Sequence, residues 1–235
     1  MTTPPLPPAI LLIGASRGLG LAMAGEFLHR GWHVVGTVRG TARKGLHELA
    51  DAHPGAITIE TLEIRDAAQL AALRGRLAGR RFDMLFVNAG TTNPDPTQTI
   101  GEVSTLDFVD LMITNALAPM RVIEHLVDHV TPSGLIGIMS SGQGSIANNE
   151  KGMRELYRGS KAALNMFMRS FAARHAGSAH PMVLMAPGWV RTELGGAEAP
   201  LRIEDSVPGV VDVLLSRIGQ PGLRYLDYQG RTVPW

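Results

Sequence analysis

The strongest constraint in this chain is an alternation that runs nearly from end to end, with short apolar runs of strand length separated by amphipathic stretches of helix length. Continuous apolar runs suit strands covered on both faces, and interleaved helices supply the cover, so the pattern predicts βαβ units around a parallel sheet. The spacing predicts strands over 9–13, 33–38, 57–64, 82–88, 135–140, 182–186 and 223–228. It predicts helices over 19–30, 67–77, 106–130, 152–176 and 207–217, with Gly31 ending the first and Thr131-Pro132 closing the third. The fold class is therefore α/β, a doubly wound, mostly parallel seven-stranded sheet with helices on both faces.

A length of 235 residues without a composition break or linker fits one domain over 1–235. Residues 1–8 carry four prolines and read as a flexible start. They lack the basic region of a signal peptide and the length of a membrane anchor, so a soluble cytoplasmic protein with no membrane partner is expected. A formal net charge of +1 argues against a polyanion-binding surface, and nucleic acid is not an expected partner. The chain has no cysteine, which excludes disulfides and thiolate metal sites, and its eight histidines show no metal-ligand spacing. No metal site is expected.

Directly after the first strand, Gly14-Ala15-Ser16-Arg17-Gly18-Leu19-Gly20 opens a helix. Glycines there let the backbone turn tightly and bring a helix N-terminus up to a pyrophosphate. The end of the second strand, where a carboxylate would hold an adenosine ribose, has none and is followed by Arg39. Arg17 and Arg39 together suit a 2′-phosphate, which favours NADP over NAD, although either alone also fits a solvated surface arginine. Farther along, Tyr157 and Lys161 stand four apart on a helical stretch, so both side chains project from one face. An ammonium beside a phenol favours the phenolate and lowers its pKa, which makes an acid/base pair. Alone, the same spacing also describes a half-buried tyrosine and a solvated lysine.

Four more segments stand in order with these two motifs: Asn88-Ala89-Gly90, Asn115, Ser140-Ser141, and Pro187-Gly188-Trp189-Val190-Arg191-Thr192. With them the chain resembles the short-chain dehydrogenase/reductase family over almost its full length. The stretches after Ser141, Tyr157 and Pro187 and the ending Asp227-Tyr-Gln-Gly-Arg-Thr-Val-Pro-Trp235 are similar to its C-factor and sniffer-like carbonyl reductase branch. The resemblance implies a Rossmann-type sheet, an NADP(H) cofactor and hydride transfer between the cofactor and a small carbonyl or alcohol. It assigns Tyr157 as general acid, Lys161 as the group that lowers its pKa and holds the nicotinamide ribose, and Ser141 as the hydroxyl that orients the substrate carbonyl. Ser140 is the competing serine. Asn115 would help hold a water that links Lys161 to solvent, and its plainer role is an amide satisfying backbone within a helix.

Cofactor contacts implied in the same way are Gly14, Ser16, Arg17, Gly18, Leu19, Gly20, Arg39, Glu63, Ile64, Asn88, Ala89, Gly90, Tyr157, Lys161, Pro187, Gly188, Val190 and Thr192. Glu63 stands where the family usually has aspartate, and the Ser141–Tyr157 spacing is longer than in many relatives. The substrate pocket is expected from 91–95, 143–149, Met153, Trp189 and 193–202, with 193–206 as a mobile lid. Met153 and Trp189 also fit ordinary core packing. Three functions fit: an NADPH-dependent carbonyl reductase, an NADP-binding regulatory protein of C-factor type, and an alcohol dehydrogenase in biosynthesis. A homodimer or homotetramer is expected through the 106–130 and 152–176 helices, and Trp235 is expected to dock on its own domain or a neighbour.

Overall fold

The computed structural model describes residues 6–43 and 45–235; residues 1–5 of the expected flexible start lie outside the described residues. Seven strands form one sheet: β1 (Ala9–Ile13), β2 (His33–Val38), β3 (Ile57–Thr61), β4 (Phe82–Val87), β5 (Val130–Met139), β6 (Pro181–Ala186) and β7 (Gly222–Asp227). Their order is β3-β2-β1-β4-β5-β6-β7, and every neighbouring pair is parallel. The helices are α1 (Gly18–His29), α2 (Gly45–Ala52), α3 (Ala67–Arg76), α4 (Thr105–Met112), α5 (Ala118–Leu126), α6 (Glu155–Arg174) and α7 (Ile203–Arg217).

The sequence of β1 shows why its apolar run is continuous. Leu11 and Ile13 point into a core shared with α3, α5 and α6, whereas Ile10 and Leu12 point into a second core shared with α1 and α7. Both layers are dry, so a strand between them has no polar face. Chain order reverses at β1, whose neighbours are β2 and β4, and this opens a crevice at the carboxyl ends of the strands.

Several expectations needed correction. The 106–130 helix is a helical run whose winding changes: α4 passes into a π turn over Ile113–Leu117, then α5, then a 3₁₀ turn over Val127–His129. Thr131-Pro132 does not close it, because β5 begins at Val130. Pro132 cannot donate to a ladder, and the pairing with β4 accordingly shifts register between Phe82↔Val130 and Met84↔Leu135. α6 starts three residues later than the 152–176 expectation, since Gly152, Met153 and Arg154 all have left-handed φ of 62°, 58° and 55°. The helix α2 was not anticipated at all. The expected lid 193–206 overlaps α7, and its last member, Ser206, is fully buried with its hydroxyl donating to the Pro187 carbonyl at 2.6 Å.

The 106–130 and 152–176 stretches keep exposed apolar side chains, Leu117 on the first and Met166 and Phe167 on the second. Trp235 docks on its own domain while staying 40% exposed. Its ring lies 5.5 Å from that of Tyr225, the Arg169 guanidinium sits 4.8 Å over it, and its carbonyl accepts from the Ala147 N–H at 3.0 Å.

Candidate active site

The turn from β1 into α1 is built for backbone proximity. Gly14 has φ +87°, and a Cβ on Gly20 would stand 2.0 Å from the Gly14 carbonyl oxygen, so Gly20 can only be glycine if this turn is to close. Thr37 at the end of β2 pins the turn: its hydroxyl accepts from Gly14 N–H at 2.9 Å and its carbonyl accepts from Ala15 N–H at 2.9 Å. From β4, the Asn88 amide donates to the Gly14 carbonyl at 2.8 Å. No side chain caps the start of α1, so its first N–H groups are left for an outside anion. Arg17 and Arg39 are exposed at the rim, and each has a carboxylate partner: Arg17 pairs with Glu193 and Arg39 with Glu63 at 3.8 Å. Ser16, Gly18, Leu19, Ala89, Gly90 and Ile64 line the same cleft, whose volume is about 1110 Å³.

On the other side of β4 the cleft reaches β5, α6 and the segment after β6. Pro187, Gly188, Val190 and Thr192 all line it. Gly188 has φ +85°, and a Cβ there would meet Leu201 at 2.5 Å. The Thr192 hydroxyl accepts from Gly195 N–H at 3.0 Å, and Trp189 Nε1 donates to the Gly195 carbonyl at 2.7 Å. These bonds and the Arg17–Glu193 pair tie the front of the expected lid to both walls of the cleft.

The structure separates the two candidate serines. Ser140 is buried, and its hydroxyl donates to Asn165 Oδ1 at 2.6 Å. Ser141 faces the cleft, its hydroxyl accepts from Gln143 N–H at 3.1 Å, and it acts to lower the Tyr157 pKa. Behind it, the Tyr225 hydroxyl donates to the Ser141 carbonyl, which fixes where that residue leaves β5. Sequence reasoning missed Thr37, Asn165 and Tyr225. Asn165 stands four residues after Lys161 on the same helix face, and that spacing was the available signal.

Tyr157 and Lys161 project together from α6, 7% and 4% exposed. The expected electrostatics do not follow. Burial raises the Tyr157 pKa, and the Ser141 hydrogen bond and the Arg154 charge only oppose that rise. Lys161 is itself lowered to about 8 by burial, donates to the Met139 carbonyl at 3.0 Å and lies 6.0 Å from the Tyr157 ring centre. In this structure burial, and not the Lys161 charge, sets the direction of the phenol's shift.

Asn115 lies in the π turn, fully buried. Its Oδ1 accepts from Thr91 N–H at 2.8 Å, and its Nδ2 donates to the Thr91 carbonyl at 2.8 Å and the Ser160 hydroxyl at 3.0 Å. Its side chain therefore clamps the loop after β4 to α6. Of the expected pocket residues, Thr91, Thr92, Asn93, Pro94, Gln143, Asn148, Trp189, Glu193, Leu194 and Gly195 line the cleft. Met153 does not; it is 67% exposed, and its neighbour Arg154 takes the inward place because the left-handed backbone turns it there. No group of three or more His, Cys, Asp or Glu able to hold a metal occurs among the described residues.

The sequence model of the family described as short chain dehydrogenase matches residues 8–200. The chain belongs to the short-chain dehydrogenase family. This dehydrogenase is similar to a short-chain dehydrogenase/reductase from Burkholderia multivorans with bound NADP. The two are 71% identical, with a TM-score of 0.97, over 97% of this chain and 100% of that one. It is also similar to a carbonyl reductase from Pseudomonas aeruginosa PAO1 in complex with NADP, at 34% identity and a TM-score of 0.89 over 97% of this chain and 100% of that one. C-signal from Myxococcus xanthus is 36% identical over 155 residues, which are 65% of this chain and 92% of C-signal. Within the family the dehydrogenase thus stands near C-signal and the carbonyl reductases.

Proposed function

We propose that this chain is an NADPH-dependent carbonyl reductase. The carrying observation is that Tyr157 and Ser141 line one continuous cleft that runs to the glycine turn of α1. The turn fits a dinucleotide: Gly14 and Gly20 leave backbone where a Cβ would intrude, and α1 starts uncapped. Gly14, Ser16, Gly18, Leu19 and Gly20 would hold the pyrophosphate, and Arg17 and Arg39 the 2′-phosphate, which requires Glu193 and Glu63 to release them. Glu63 and Ile64 would flank adenine, and Asn88, Ala89, Gly90, Pro187, Gly188, Val190 and Thr192 the nicotinamide half. The bound cofactor supplies the hydride.

The chain's own groups handle the substrate and its proton. A carbonyl oxygen placed between Ser141 Oγ and Tyr157 Oη receives one hydrogen bond from each. Because burial raises its pKa, Tyr157 holds its proton at neutral pH, which is the state a general acid must start from. As negative charge grows on the substrate oxygen, Tyr157 gives up that proton, and in alcohol oxidation the same phenol accepts it. Lys161 projects from the same helix face as Tyr157 and would hold the nicotinamide ribose of the cofactor. Asn115 positions Thr91 at the edge of the pocket. The segment 193–206 would act as a lid only through 193–202. A cytoplasmic location is part of this reading, since a cysteine-free fold needs no oxidising compartment.

A second reading rests on the similarity to C-signal: cofactor binding would govern association and not turnover. One screen separates the two. Purified protein given ketones, aldehydes and quinones should consume NADPH, and should prefer it to NADH by about tenfold or more through Arg17 and Arg39. Tight NADPH binding with no consumption across the panel would favour the second reading.

A further inference from the structure

Arg154 is a cation in the substrate half of the cleft that the reaction scheme does not use. It lies three residues before Tyr157, and its guanidinium carbon sits 5.1 Å from the centre of that ring. The sequence departs from easy backbone geometry to place it there, since Met153 and Arg154 hold consecutive left-handed φ of 58° and 55° without being glycine. Its side chain is part-buried and has no carboxylate within ion-pairing distance among the described residues. Nearby acids are engaged elsewhere: Glu155 accepts from Ile100 N–H at 2.8 Å, and Asp95 accepts from Thr97 N–H at 2.9 Å.

The guanidinium is underbonded. Among the described residues its Nε is buried without a hydrogen-bond partner, and Nη2 reaches only the Thr92 hydroxyl at 3.5 Å, a marginal contact. A guanidinium that lines a cleft without a carboxylate partner among the described residues can give two parallel N–H bonds to a carboxylate that enters. A part-buried cation with no anionic partner gains one from an anion that enters the cleft, because an unpaired charge away from bulk water costs free energy.

We propose that Arg154 is the anion-recognising residue of the substrate pocket, and that the substrates are carbonyl compounds bearing a carboxylate a few bonds from the reacting carbon. The closeness of Arg154 to Tyr157 sets that short spacing. This inference rests on the reductase reading for its substrate class, while the binding of a carboxylate does not depend on turnover.

The test has two arms. In the first, NADP-loaded protein is titrated calorimetrically with benzoate and with benzamide, which differ in charge and little in shape. Wild type should bind benzoate more tightly than benzamide, and Arg154→Gln should weaken benzoate by about 10- to 100-fold, with Arg154→Lys between them. In the second, kcat/KM is measured for short keto acids and their methyl esters. The acid-to-ester ratio should exceed one in wild type and fall by about 10- to 100-fold in Arg154→Gln. Equal affinity for benzoate and benzamide in wild type, or a ratio that Arg154→Gln leaves unchanged because acid and ester lose rate together, would overturn the proposal. Benzoate selectivity without reduction of any carbonyl would uphold the anion site and sink the reductase reading.

Discussion

Lys161 is buried with one hydrogen bond, to the Met139 carbonyl, and no carboxylate partner among the described residues, so its ammonium is paid for by the rest of the fold. Its folded pKa of about 8 lies below the ordinary lysine value. The unfolded chain therefore binds the proton more tightly, and the site costs stability at neutral pH on the order of 3 kcal/mol. That cost persists below about pH 8 and fades as pH rises toward the unfolded value of about 10.5. Urea unfolding of Lys161→Met without cofactor should show the gain over wild type to be largest at pH 7 and to shrink steadily by pH 10. A gap independent of pH would contradict the burial account. The spacing of Tyr157 and Lys161 made their shared face legible in the sequence, but the direction of the phenol's shift was not. That direction depends on how far α6 sinks against β5, which no local pattern encodes.

Elements with a long apolar period were legible, and those set by backbone exceptions were less so. Six of the seven strands matched within about a residue or two at their starts because their two-sided burial shows as unbroken apolar runs. For β5 the start differed, since Pro132 hides an irregular stretch of ladder. The helix α2 escaped notice because eight residues supply barely two turns of periodicity. The π turn at Ile113–Leu117 and the left-handed entry to α6 leave no periodic trace, yet they place Asn115 and Arg154. The β1–α1 turn is the element most fully specified by sequence. Gly20→Ala would drive a Cβ into the Gly14 carbonyl, which belongs to backbone and cannot swing aside. Fluorescence titration should show NADPH affinity weakened at least about tenfold by this opening of the cradle. Unchanged affinity would mean that the turn does not hold the cofactor.

At the scale of the whole molecule, one crevice collects what distant segments contribute. The strand order brings the ends of β1, β4, β5 and β6 to a single edge, so Gly14, Asn88, Ser141 and Pro187 meet although they are far apart in the chain. The carboxyl end of the chain supports the same place: Trp235 packs on Tyr225, whose hydroxyl holds the Ser141 carbonyl. On the proposed reading this arrangement divides labour, with the glycine turn binding the cofactor and Tyr157 transferring the proton. NADPH binding and NADPH-dependent carbonyl reduction, measured side by side in wild type and Tyr157→Phe, test that division most directly. Loss of turnover by about 10²- to 10⁴-fold with NADPH affinity kept within about threefold is the predicted result. Reduction by Tyr157→Phe at the wild-type rate would contradict it.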